Sequence, residues 1–161
     1  MKIVDPRTAP YAVLLLRIGL GGLFIAHASQ MLSLSTPVGA VAYFNALGLP
    51  GWFANFVVAW ELLGASALFL GFMPRLTALA MIPIPLGEIV VFHGSSGFFF
   101  SGTNGGWGFP ALWILALIAQ ALIGDGVFAI EPTHHLFDGW SHASFIRRHK
   151  EEIRRTRQFK N

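Results

Sequence analysis

The chain has no cysteine among its 161 residues. Disulfides, thiol relays, thiolate-held zinc and cysteine-bound iron–sulfur clusters are therefore excluded within it. Any redox work falls to a bound organic carrier, a His-ligated metal or the thiols of a partner. Charge is the second scarcity. Charged side chains make up 12% of the sequence against 54% hydrophobic, whereas a soluble domain carries about a quarter charged. Between Gly19 and Gly124 only Glu61, Arg75 and Glu88 are fully charged. Three such groups cannot cover the surface of a water-soluble fold, so the chain reads as an integral membrane protein. Its net charge of +3 is not a sign of nucleic-acid binding. Seven of the eleven Lys and Arg lie between Arg147 and Lys160, which makes a basic tail beside an apolar domain.

What is present is a series of apolar runs. They predict an all-α, polytopic four-transmembrane-helix bundle with spans at about 12–34, 52–72, 76–92 and 109–123. Runs of this kind can cross a hydrocarbon core of roughly 30 Å at about 1.5 Å per residue. The first run has an Ala26-His27-Ala28 site resembling a signal-peptide cleavage point. Arg17 and His27 interrupt it and three more spans follow, which favours a retained helix. Val38–Leu47 reads as a short interfacial helix. Gly71 and Pro74 end the second span. Pro83 and Pro85 predict a kinked or locally unwound third one. Lys2 and Arg7, Arg75, and the basic tail fall on one side of such a bundle, which places both termini in the cytoplasm. The chain thus divides into a cytoplasmic lead (1–10), a membrane domain (11–131) and a basic cytoplasmic tail (132–161) suited to anionic lipid or a soluble partner.

Chemistry is expected where polar groups stand inside the spans. Glu61, at the centre of the second, costs about 2.5–3.5 kcal/mol to place there if ionised and unpaired. It must be protonated or paired with Arg17 or His27. Arg17 and His27 share a broad stripe of the first span, and Gln30 lies three residues beyond His27 on the same face. Glu88 falls in the outer half of the third span and His93 at its mouth. The expected arrangement is a polar pocket opening outward, with Glu61, His27 and Arg17 carrying the chemistry. Gln30, Glu88, His93 and Trp107 would contact the ligand, and the glycine-rich stretch after His93 would act as a lid. No His or carboxylate spacing is diagnostic of a metal site. Gly19-Leu20-Gly21-Gly22 lies inside a span and lacks the strand–helix setting of a dinucleotide motif. With Gly64, Ala65 and Ala67 it offers close helix contact.

Taken in order, several short motifs resemble the DoxX family of small bacterial membrane proteins. They are Leu16-Arg17-Ile18-Gly19 with Phe24-Ile25-Ala26-His27, Leu47-Gly48-Leu49-Pro50, Glu61-x-x-Gly64, Gly71-Phe72, Arg75-Leu76-Thr77-Ala78, His93-Gly94, Gly105-Gly106-Trp107, and a closing Gly124-Asp125-Gly126-Val127-Phe128-Ala129-Ile130-Glu131. The resemblance covers about residues 11–131. It implies a four-helix bundle of the bacterial inner membrane linked to quinone, sulfur or oxidative-stress redox chemistry. One departure stands out: many relatives carry an acidic residue where this chain has Gly108. The expected function is a redox-linked membrane subunit handling quinone or sulfur and oxidative-stress chemistry through its Arg17/His27/Glu61 pocket, with a quinone as the candidate cofactor. A non-catalytic scaffold for soluble oxidoreductases, or a small proton-coupled transporter working as a homo-oligomer, are the alternatives.

Overall fold

In a computed structural model of the chain, residues 5–34, 37–99 and 105–133 are described. The polar tail with its Arg run, and His134-His135, lie outside them. Every regular element among the described residues is helical. They are α1 (Ala9–Leu34), α2 (Pro37–Ala46), α3 (Gly51–Leu70), α4 (Pro74–Met81), α5 (Pro83–Glu88) and α6 (Gly108–Ile123), with a π-wound turn at Ile89–His93 extending α5. Three helical stretches are long and apolar enough to cross a membrane: Ala9–Leu32, Gly51–Leu70 and Pro74–His93. α6 is equally apolar but has 16 residues, about 24 Å at 1.5 Å per residue.

The helices close a four-sided bundle. α1 packs on α3, α3 on α4, α4 and α5 on α6, and α6 back on α1, while α2 lies across α3. Leu20 and Phe24 of α1 meet Ala65 and Leu68 of α3, Ala78 and Met81 of α4, and Trp113 and Leu117 of α6 in one buried core. Two glycines allow the close approach. A Cβ on Gly21 would sit 3.2 Å from the Ala65 carbonyl oxygen, and one on Gly64 would sit 2.6 Å from Met81 Cε. Gly19 and Gly22, by contrast, face open space. Outside the core, Leu15, Leu63, Leu112 and Leu122 are more than three-fifths exposed. In water such a surface would associate; in lipid it is the ordinary exterior.

The prolines of the third span interrupt the helix without unwinding it. Pro83 has no N–H to offer the Leu79 carbonyl four residues back. Ile82 supplies it instead, donating to Leu79 O at 3.2 Å while keeping helical angles of φ −55° and ψ −38°. α5 then starts on Pro83, where a missing N–H costs nothing. The π winding begins one residue after Glu88.

At the end of the bundle where α3 turns into α4, the segment after α6 doubles back. Met73 donates to Glu131 O (2.8 Å), Glu131 to Gly71 O (3.2 Å) and Ile130 to Leu70 O (3.3 Å). Gly71 adopts φ 71° to cap α3, and the guanidinium of Arg17 lies against it.

Candidate functional site

α1 and α3 run side by side with His27 and Glu61 facing each other. Nδ1 of His27 is 2.7 Å from Glu61 Oε1, and Nε2 is 3.3 Å from Glu88 Oε1 at the end of α5. One imidazole from α1 thus joins two carboxyls carried by two other helices. Trp113 of α6 sets the ring from the fourth side, edge to face at a centroid distance of 5.8 Å. Glu61 is fully buried, whereas His27 and Glu88 keep about a fifth of their side chains open.

Hydrogen-bond valence constrains the proton content of this trio. A cationic imidazole donates through both nitrogens to two ionised carboxylates. A neutral imidazole has one bare nitrogen, so one carboxyl must then be protonated and donate to it. With both contacts made, either arrangement holds two protons and one net negative charge. The remaining oxygens, Glu61 Oε2 and Glu88 Oε2, are buried and make no hydrogen bond among the described residues. The cluster can therefore rearrange a proton internally, and it can take or release one through His27 or Glu88.

His27 and Glu88 supply the polar end of a cavity of about 350 Å³ between α1, α2, α3 and α5. The size is that of an ordinary small-molecule site. Its walls are otherwise apolar and strongly aromatic, with Phe53, Phe56 and Trp60 on α3, Phe44 on α2 and Phe92 on the π-wound turn. Phe53 and Phe56, then Phe56 and Trp60, stack at 5.9 and 5.8 Å, following the three- and four-residue spacing of one helix face. Glu61 lies behind His27, away from the cavity.

The other residues expected here stand elsewhere. Arg17 sits about 15 Å down α1 from His27, ten residues at the helical rise. It is completely buried and donates to the carbonyls of Asp125 (2.7 Å), Val127 (3.2 Å) and Phe128 (3.4 Å). The Arg17–Glu61 pairing considered from sequence is therefore not formed; His27 takes Glu61. Arg17 instead neutralises the carbonyl end of α6 and the turn after it, where a cation is favoured. Asp125 and Thr133 complete this knot, with Thr133 donating to Asp125 Oδ2 at 3.0 Å and Arg75 donating from its backbone to Thr133 Oγ1 at 3.3 Å. Gln30 is exposed, and neither it, His93 nor Trp107 lines the cavity. Trp107 packs on Phe98 at 4.9 Å, and backbone bonds from Trp107 to Gly97 O and from Gly108 to Phe98 O tie the described part of the glycine-rich loop to the start of α6. Sequence reading missed the aromatic wall, whose signal was the Phe53, Phe56, Trp60 spacing. It also missed Asp125 and Thr133, which look like ordinary turn residues. Among the described residues no group of three His, Cys, Asp or Glu is arranged to hold a metal ion.

The DoxX family model matches residues 12–94, which carry α1 to α5 and the π-wound turn. Gly108 and the Gly124–Glu131 segment lie beyond that match. A Bacillus subtilis (strain 168) protein named "Putative oxidoreductase CatD" is 28% identical over 119 residues, covering 74% of this chain and 84% of its own length. No solved structure matches the chain. With nearly all of its three membrane-length helices and the His27–Glu61–Glu88 cluster inside the matched residues, the chain belongs to the DoxX family.

Proposed function

We propose that this protein is the membrane subunit of a bacterial oxidoreductase system and that it binds a quinone-class ligand in the aromatic cavity. The observation that carries the reading is His27 held between two carboxyls at the polar end of an otherwise apolar chamber. Apolar walls suit a ring, and a single hydrogen-bonding end suits a ring carbonyl. Sulfur-transfer chemistry would ask for a thiol, and the chain has none. The name of the Bacillus relative is consistent with the redox class.

When bound, a quinone accepts two electrons and two protons to become a quinol. The electrons come from a redox partner or a small donor, since no motif for an electron carrier is evident in the chain. The protein's own part is protonic. His27 Nε2 or the Glu88 carboxyl donates to the carbonyl oxygen at the open end of the cavity. Glu61 acts through His27, fixing the ring from Nδ1 and returning a proton to it, so the trio is restored by uptake from outside. Positioned acid–base groups of this kind contribute about 10²- to 10⁴-fold in rate. In this reading residues 11–131 form four spans in the inner membrane with both termini cytoplasmic, and the basic tail meets the soluble partner.

The test is purification of the full chain in native-lipid nanodiscs, followed by organic extraction. Near-stoichiometric quinone is expected, and His27→Ala should lose it. Glu61→Gln should keep the ligand but slow partner oxidation by about 10²-fold or more. No quinone above the bulk-lipid ratio, together with unchanged oxidation in Glu61→Gln, refutes the proposal.

A further inference from the structure

The outer end of the cavity is partly covered. That end is roofed by α2, which lays Phe44 over the chamber. Phe44 is buried and packs on Phe53 and Phe92 at 6.1 and 6.4 Å. The cavity wall that reaches the outside of the bundle is on the flank between α3 and the proline-interrupted helix. Trp60, Ala80 and Pro83 all line the chamber and all are exposed on the surface. Trp60 is the tenth of the twenty residues of Gly51–Leu70, and Pro83 the tenth of the twenty from Pro74 to His93. These midpoints are cross-tied at one depth, because Trp60 Nε1 donates to Ala80 O at 3.2 Å. Ten residues from either end is about 15 Å, the centre of a hydrocarbon core of roughly 30 Å. A flank at that depth faces acyl chains and not water.

We infer that the cavity opens sideways into the bilayer at Trp60, Ala80 and Pro83, and that its ligand is a lipid-dissolved ring bearing a long apolar tail. The ring lies against Phe56 and Trp60 with its polar edge at His27 and Glu88, and the tail leaves past Pro83 into the hydrocarbon. This rests on the ligand class proposed above and adds its route, its phase and its tail. Pro83 has a part in the opening. Pro83 presents ring carbons with no N–H at the lipid-facing mouth, and the indole N–H of Trp60 there is already satisfied by Ala80 O. The mouth therefore offers a tail nothing polar to cross.

Absence of cysteine makes the test clean, since a nitroxide can be placed at one introduced thiol. In the full chain in phospholipid vesicles, a label at Ala80→Cys should collide with dissolved oxygen and not with a water-soluble nickel chelate. Collision with nickel overturns the sideways mouth. Adding decyl-benzoquinone should immobilise the label at least severalfold more than the tail-less methyl ring does, and His27→Ala should abolish the effect. Equal immobilisation by both rings, with both bound by direct measurement, overturns the tail route while leaving the ligand class standing. Binding of neither ring removes the ligand class and the occupant with it, whatever the oxygen and nickel result.

Discussion

Replacing Arg17 by Met separates a structural arginine from a chemical one. Met keeps the apolar stem and removes the guanidinium. Three carbonyls then lose their donor, at 2.7, 3.2 and 3.4 Å. Hydrogen bonds to a charged group contribute about 1.5–3 kcal/mol each, and the 3.4 Å contact is too long to count fully. Removing one partner of a buried charged arrangement costs about 3–5 kcal/mol, and the same range is expected here because the losses are not additive. Gly71 packs on the guanidinium, with a Cβ there placed 2.7 Å from Arg17 Nη1, so the α3–α4 turn should loosen with it. Denaturant unfolding of the chain in mild detergent reads the loss. Arg17→Lys should recover only part of it, having charge but no fork to reach three carbonyls. His27 lies about 15 Å away along α1, so the folded fraction of Arg17→Met should bind ligand as the parent does. A variant of parental stability that has lost ligand or turnover would refute this and return Arg17 to the reacting centre.

Two further outcomes follow from the packing. Gly64→Ala should cost about 1–3 kcal/mol by overpacking Met81, and Gly64→Ala with Met81→Ala should be less damaging than the sum of the two, a coupling that a double-mutant unfolding cycle measures. Gly108→Glu should destabilise the chain. A Cβ at Gly108 would meet the Phe98 carbonyl oxygen at 2.6 Å, and the loop before α6 would have to move; proteolysis near Phe98–Phe99 should quicken.

The helices were largely legible because proline and glycine mark their ends. Gly71 with Pro74, Pro110 and Gly124 fall where α3, α4 and α6 stop or start. The rarity of charge made Glu61 and Glu88 conspicuous, and both meet His27. What was not legible was direction. Arg17 and His27 share a stripe of α1, but helical side chains lean toward the N-terminus, which carries the Arg17 head away from His27. Its acceptors are backbone carbonyls, and a carbonyl leaves no mark in a sequence. Gln30 lies three residues beyond His27 yet is exposed and outside the cavity lining, where the next residue, Met31, takes its place. The position of α2 depends on aromatic contacts across three segments. The interruption of the third span falls at Ile82, beside the prolines that predict it, but its local geometry was not legible for a related reason. Two prolines remove donors, but whether a neighbour such as Ile82 takes over the stranded carbonyl is decided by geometry and not by composition.

The clasp between Arg17 and the turn after α6 joins residues 108 positions apart. A ribosome adding about 5–20 residues per second needs some 5–20 s to make that interval. During it the first helix stands in or beside the membrane with an arginine whose acceptors have not been synthesised. His27 gains Glu61 after only 34 residues, early in biogenesis. The Arg17 end of α1 must therefore keep its long side chain within reach of water until the turn after α6 arrives. Docking of α6 and the turn after it is then also the step that draws Arg17 out of water, so a chain truncated before Gly124 should fail as a substrate for assembly and be one for proteolysis, even with its three long helices intact.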